Sequence, residues 1–471
     1  MSPISRTTLL GFLLALLAPP ASYLYTRLSV FGAFRTSLSQ ASMYTASGTD
    51  DPREIFTIPD IAQAEDLAFH EPSGLVVVAG QGEWRSRFKW WPPWAVFDDP
   101  SAAKEADGGV WVIDPKSWET TRLVLDGFEG PLVTHGIEVY SSPTDSSSLY
   151  IYVINHPPLL SSDKYPLPIA DSRIEIFHLN LASSPLTATH LRSVKHPLIT
   201  TPNDLVALGP GDLLVTNDHV NRQGWRRRLE DILTFSWISK TTIVRVRVDL
   251  DLDLHLDKVT GGGVQAEVVL SGLHNANGLH RGPNDTILLC DASGGVFTLL
   301  SQSFSQDTDT VALTAIDSTA MPTTLDNPTY FTTLHPSGGG EETVYVLAGL
   351  SNAIKLDEHA VDPEARVPSG VRFVRRKEGG EWEKKLILED DGNWVSGASV
   401  AMILPIQESG SVGGRDTSYL EQRQDEGQIV FDESKPGSDK QGVGKPKDGW
   451  LLMTGPWSRG IGVIKVDLGG W

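Results

Sequence analysis

A chain of 471 residues with a net charge of −20 and one cysteine is long enough for two or three average domains or for one large all-β body. The acidity excludes a nucleic-acid partner, because affinity for phosphate backbones comes from clustered Lys and Arg that release counterions, and it makes a cation the natural companion. Cys290 ends the apolar run Thr286-Ile287-Leu288-Leu289-Cys290, so it reads as a buried strand residue with no disulfide partner and no thiol chemistry.

The first 35 residues stand apart from the rest. Arg6 precedes an apolar stretch from Leu9 to Ala18 of the kind found in secretory signals, and Ala21-Ser22 supplies small residues for cleavage. Apolar character continues through Tyr23-Leu24-Tyr25, toward the roughly 17 residues of a minimal membrane span, with Pro19-Pro20 as a kink. Arg6 on one side and Arg27 and Arg35 on the other leave the orientation open. We expect residues 1–35 to form a hydrophobic signal or anchor helix, retained in preference to cleaved. It would deliver the body of the protein to the secretory pathway, membrane-anchored or extracellular, with any membrane contact made through this segment.

From about residue 50 to residue 471 one theme repeats: a short run rich in Val, Ile, Leu and aromatics, then a turn of Gly, Asn, Asp or Pro. Gly74–Ala79, Gly109–Asp114, Leu149–Ile154, Arg173–His178, Asp212–Thr216, Thr242–Val248, Thr343–Leu347 and Trp450–Thr454 are examples. Almost no segment has a 3.6-residue period, so the fold class is all-β, and without crossover helices a parallel α/β sheet is disfavoured. Sheets repeated radially, a β-propeller, suit this length better than one closed barrel, although periodicity gives no blade count. Two segments break the pattern. Arg85–Gly108 carries Trp90-Trp91-Pro92-Pro93-Trp94, which reads either as a lid facing substrate or membrane or as packing beneath a long loop. Residues 406–447 are rich in Gly, Ser, Asp, Glu, Gln and Lys and read as a disordered surface insertion. Asn284-Asp285-Thr286 is a glycosylation sequon at a turn.

Glu65-Asp66, Asn203-Asp204, Asn277 and Asp326-Asn327 lie far apart, each beside β-type apolar sequence. Any one of them alone is most simply a turn. Brought together they make an oxygen-rich hole for a hard cation, and a mixture of carboxylates and carboxamides suits calcium, which takes six to eight oxygens at roughly 2.3–2.6 Å. His135 in Thr134-His135-Gly136-Ile137 and His156 in Asn155-His156-Pro157 bracket one strand. As a pair they could activate water, one as base and the other holding its tautomer; as an ordinary imidazole the base would titrate near pH 6 to 7. Thr216-Asn217-Asp218-His219 is a third signal, either an Asp-His pair that orients a metal ligand or lines the pocket, or a strand-capping turn. There is no Gly-x-Ser-x-Gly elbow and no His-Glu-x-x-His helix, so hydrolysis would depend on metal and activated water. The run Gly261-Gly262-Gly263 lacks the Lys and helix of a phosphate cradle.

Taken in order, Ala64–Ala68, His135-Gly136-Ile137, Val153–Pro157, Pro202–Pro210, Thr216–His219, Ala276–Leu279 and Leu325-Asp326-Asn327 resemble the motifs of the serum paraoxonase/arylesterase family, over about residues 55–405 and again near Asp448. The resemblance implies a six-bladed β-propeller with two calcium ions in its central tunnel. The implied activity is hydrolysis of lactones and aryl esters, with organophosphate triesters at the edge of the range. It assigns Glu65, Asn203, Asn277, Asp326 and Asn327 to a catalytic calcium, and Asp66, Asp204 and the carbonyl of Ile137 to a buried one. His135 and His156 become the catalytic pair, with His135 as base toward water. Three departures stand out: the family disulfide cannot form with Cys290 alone, a family pocket histidine aligns with Leu350, and residues 406–447 have no family counterpart. The alternative is a non-hydrolytic propeller, a binding scaffold or a cyclase of the strictosidine-synthase-like kind.

Overall fold

The computed structural model describes residues 21–35, 43–45, 54–142, 145–159, 169–232, 240–250, 259–260, 262–305, 309–334, 341–359, 362–406, 447–469 and 471. They form a six-bladed β-propeller of antiparallel sheets. Blade 1 runs outward through Leu67–His70, Leu75–Gln81, Gly108–Ile113 and Thr120–Arg122. Blade 2 is Thr134–Ser142, Asp145–Asn155, Arg173–Asn180 and Thr187–Val194, and blade 3 is Pro202–Gly209, Asp212–Asn217, Thr241–Val248 and Val264–Leu273. Blade 4 is Ala276–Arg281, Thr286–Asp291, Val296–Ser305 and Thr310–Ala320, and blade 5 is Pro328–Leu334, Glu341–Leu350, Ser369–Arg376 and Trp382–Asp390.

Blade 6 contains Val400–Pro405, Asp448–Thr454 and Ile461–Asp467 and takes its fourth strand, Ile55–Ile58, from the other end of the chain. Ile55↔Ile464 and Ile58↔Ile461 set the register, so the ring closes by strand pairing, as the lone cysteine requires. The cores lie between blades. Val77, Val110 and Val112 of blade 1 pack on Leu149, Ile151 and Val153 of blade 2, and equivalent Val, Ile and Leu layers fill the other joints. Such residues suit strands buried on both faces.

Residues 21–30 are helical and lie across the ends of blades 4 and 5. Val30 is buried close to Gly295, Arg27 Nη1 donates to the Ser293 carbonyl at 2.5 Å, and Arg35 Nη1 reaches Glu389 Oε1 at 3.4 Å. Leu24, Tyr25 and Leu28 face outward. Among the described residues no helix is long and apolar enough to cross a membrane; residues 1–20, and nearly all of the 406–447 insertion, fall outside them.

Candidate active site at the propeller mouth

The inner strands of blades 2, 3 and 4 begin with the same irregularity. Register shifts between Thr134 and Ile137, between Pro202 and Leu205 and between Ala276 and Leu279 mark bulges that contain His135, Asn203-Asp204 and Asn277. A bulge turns the side chains of a strand end out of the ladder, toward the axis of the ring. Two glycines let the bulges close in. A Cβ on Gly136 would meet the Asn203 carbonyl and Asp204 Oδ1 at 2.7 Å, and one on Gly278 would meet Asn327 Cα at 2.4 Å. Blades 1, 5 and 6 add the residues just before their inner strands, Glu65-Asp66, Asp326-Asn327 and Ser399.

These pieces interlock. Asn327 Nδ2 donates to Glu65 Oε1 at 2.9 Å and to the Glu65 carbonyl at 3.1 Å, and Ser399 Oγ donates to that same carbonyl. His135 Nε2 stands 4.0 Å from Glu65 Oε1 and 3.4 Å from Asn203 Nδ2. Five buried oxygens, Glu65 Oε2, Asn203 Oδ1, Asn277 Oδ1, Asp326 Oδ1 and Asn327 Oδ1, have no hydrogen-bond partner in the structure. Orphaned buried acceptors are rare in folded proteins, and five from one cluster call for a positive occupant. Among the described residues no three His, Cys, Asp or Glu side chains make a metal group by themselves. The donors gathered here are two carboxylates and three carboxamides, a set for a hard cation rather than a thiophilic one.

Electrostatics agree with that reading. Burial, then the charges of Asp326, Asp66 and Asp204, pushes Glu65 well above the usual carboxylate range, and burial and the neighbouring acids do the same to Asp204 and Asp326. Burial raises Asp66 to about 7. The deeper pair is already partly occupied: Asp66 Oδ1 accepts the Leu67 N–H at 2.8 Å and Oδ2 the Ile137 N–H at 3.4 Å. Asp204 accepts the N–H groups of Leu205 at 2.7 Å and Leu279 at 2.6 Å. A carboxylate oxygen that takes one hydrogen bond keeps further acceptor capacity.

The two histidines meet directly, with His135 Nδ1 3.1 Å from His156 Nε2, and both are buried. Burial lowers His135 to about 3 and His156 well below its ordinary value. A titration near pH 6 to 7, expected of an exposed imidazole, is therefore displaced by desolvation. The Trp90-Trp91 segment provides much of that cover. Trp91 stands edge-on to both rings, at centroid distances of 5.0 and 6.0 Å, and Trp90 Nε1 donates to the His156 carbonyl at 2.8 Å. Both tryptophans are buried in an apolar cluster that Leu350 joins from blade 5. The aromatic run is thus packing and pocket wall at once.

Further residues, Arg87 and Ser172 outside the sequence motifs and Asn155 and Asp218-His219 within them, complete the site. Arg87, fully buried, stacks 3.7 Å from the centroid of Trp91 and donates to the Thr134 carbonyl at 2.8 Å and hydroxyl at 3.1 Å, beside His135. Asn155 joins the neighbouring turns: its Oδ1 accepts the Val133 N–H at 2.8 Å and its Nδ2 donates to Glu175 Oε1 at 2.9 Å. Ser172 Oγ lies 2.8 Å from His156 Nδ1. Burial opposes ionisation of Asp218, yet His219, 3.0 Å away, and Arg227 hold its carboxyl well below the usual range, so an ionised Asp218 stands against His219 beside the histidines.

A family profile described as Arylesterase matches residues 101–246. Serum paraoxonase/arylesterase 2 of Homo sapiens is 27% identical over 189 residues, which are 39% of this chain and 44% of the relative. Serum paraoxonase/lactonase 3 of Rattus norvegicus is 31% identical over 144 residues, 30% of this chain and 36% of the relative. Serum paraoxonase/arylesterase 2 of Bos taurus is 24% identical over 309 residues, 64% of this chain and 73% of the relative. The chain thus matches less than half the length of the human and rat proteins.

Proposed function

Because this chain belongs to the serum paraoxonase/arylesterase family, we propose that it is a calcium-dependent hydrolase of lactones and aryl esters. The observation that carries the reading is the set of five orphaned oxygens on Glu65, Asn203, Asn277, Asp326 and Asn327. Those residues would hold one calcium, and Asp66, Asp204 and the Ile137 carbonyl a second, deeper one. When bound, calcium supplies Lewis-acid polarisation of a substrate carbonyl and neutralises the charge that develops on its oxygen. His135, neutral because it is buried, keeps Nε2 as an acceptor 4.0 Å from Glu65 Oε1, and a water that displaces the Asn203 amide from this nitrogen would lose its proton there. His156 holds the opposite nitrogen of His135.

Trp91 and Leu350 belong to an apolar cluster packed beside the histidines, and apolar surroundings favour aliphatic lactones and phenyl esters over charged substrates. Aryl phosphotriesters present a comparable electrophile and belong to the same proposal. So does delivery to the secretory pathway, supported by the outward Leu24, Tyr25 and Leu28 of the N-terminal helix and by the exposed sequon residue Asn284. The test is the metal content of purified protein together with turnover of aliphatic lactones, phenyl acetate and an aryl phosphotriester, with and without EGTA. Calcium-supported turnover of a lactone or phenyl acetate is the expected result. Stoichiometric calcium with no hydrolysis of any of the three would favour a binding scaffold.

A further inference from the structure

The histidine pair is one segment of a longer chain of contacts with a definite direction. Asn203 Oδ1 is the oxygen left without a partner in the cation cluster, which directs the amide nitrogen of the same side chain to His135 Nε2 at 3.4 Å. An amide nitrogen carries only donors, so His135 Nε2 must accept, and a neutral His135 then carries its proton on Nδ1. That proton faces His156 Nε2 at 3.1 Å, which must accept in turn, and the proton of His156 is left on Nδ1, 2.8 Å from Ser172 Oγ. Each step follows from the one before. A neutral imidazole offers one donor and one acceptor, so fixing the polarity at Asn203 fixes it as far as Ser172.

Ser172 is built into this position. It precedes the blade 2 strand Arg173–Asn180 and follows a short ribbon in which Pro158 pairs with Ala170. The Asp171 N–H donates to the Pro157 carbonyl at 2.8 Å, and the Asp171 carboxylate takes Lys195 at 2.5 Å and Arg173 at 3.4 Å. Beside the Ser172 hydroxyl lies a small cavity of about 20 Å³, lined also by His156, Thr200, Asp218 and Arg222. The hydroxyl therefore accepts from His156 on one side and can donate to cavity water on the other.

We propose that Ser172 is the positioning residue that fixes the tautomer of His156, and through it that of His135, by ending a one-way hydrogen-bond chain at a small cavity wide enough for water. This rests on the reading of His135 as base, but its first readout needs no substrate. The competing arrangement is the reversed chain, in which Ser172 donates to His156.

The experiment uses the full chain labelled with ¹⁵N-histidine, with the His156 signals found by comparison with His156→Gln, and reads the tautomer from nitrogen–proton correlations at neutral pH. The expected wild-type result is a proton on His156 Nδ1. Ser172→Ala should mix the two tautomers and lower kcat about 10-fold, the lower end of the range for lost support of a working residue, at unchanged KM. Ser172→Thr, which keeps the hydroxyl, should restore both readouts. A proton on His156 Nε2 in the wild type, or a tautomer that Ser172→Ala leaves untouched, overturns the proposal. Were no ester or lactone turned over by any form, the hydrolase reading would fail while the tautomer result still decided this one.

Discussion

Glu65 shows how much of the site's energetics resides in single atoms. It is buried among Asp66, Asp204 and Asp326, so in metal-free protein its charge opposes the fold. Glu65→Gln should raise the melting temperature measured in EGTA, because one repelling carboxylate is gone. The same change should weaken calcium binding and cut turnover by about 10²–10³-fold, as loss of a main electrostatic contributor does. Unchanged turnover would remove Glu65 from the site. His135 gives the second prediction. A base must be neutral to work, and burial lowers this one to about 3, so it is competent throughout the range above that value. With calcium saturating, the kcat profile should lack an imidazole step between roughly pH 6 and 7. A step there, abolished by His135→Gln, would show that the ring is exposed and ordinary in the working enzyme. The acid and amide pairs were legible because they recur at the ends of apolar strand runs, where paired acceptors have no packing role. The depressed histidines were not, because nothing in the sequence of residues 85–108 says that Trp91 packs on the two rings and Arg87 on Trp91.

At the scale of elements, the strand runs were readable from their apolar patterning, and so was the irregularity of residues 85–108. The bulges at His135-Gly136, Asn203-Asp204 and Asn277-Gly278 were not, since a bulge depends on the partner strand's register rather than on local composition. The loop's role was open between lid and packing, and one residue settles how it attaches. Arg87 ties the loop to the strand bearing His135 through the Thr134 carbonyl and hydroxyl, and it stacks on Trp91. Arg87→Met keeps much of the volume but leaves the Thr134 carbonyl unsatisfied and removes the cation from the indole face. A stability loss of roughly 2–4 kcal/mol should appear as a lower urea midpoint. Turnover should fall as well, because Trp91 no longer holds the two imidazole rings. An unchanged midpoint with normal turnover would make the loop a passive cover.

At the scale of the whole molecule, ring closure and a bound cation would act together. Ile55–Ile58 pairs with Ile461–Asp467, and the cluster draws on strand starts of blades 1, 3, 4 and 5. A cation at the axis would cross-link blades that otherwise meet only through neighbours, and would add its binding free energy to folding by mass action. Without it, four acids with raised folded values face one another. The sign of their linkage follows from Asp66. Its folded value is about 7 and its ordinary value 3.8, so between these the folded state binds more protons than the unfolded one. Stability of the metal-free protein attributable to these acids therefore falls as pH rises through that window. With calcium saturating, the preference reverses, because the cation binds the ionised carboxylates and competes with protons for them. Melting curves between pH 5 and 8 should thus diverge: in EGTA the midpoint should drop toward pH 8, and the stabilisation by calcium should grow over the same interval. Asp204→Asn should flatten the EGTA curve and shrink the calcium effect, since it removes one of the charges responsible for both. Curves that stay parallel with and without calcium would mean that protons and the cation do not share these four carboxylates.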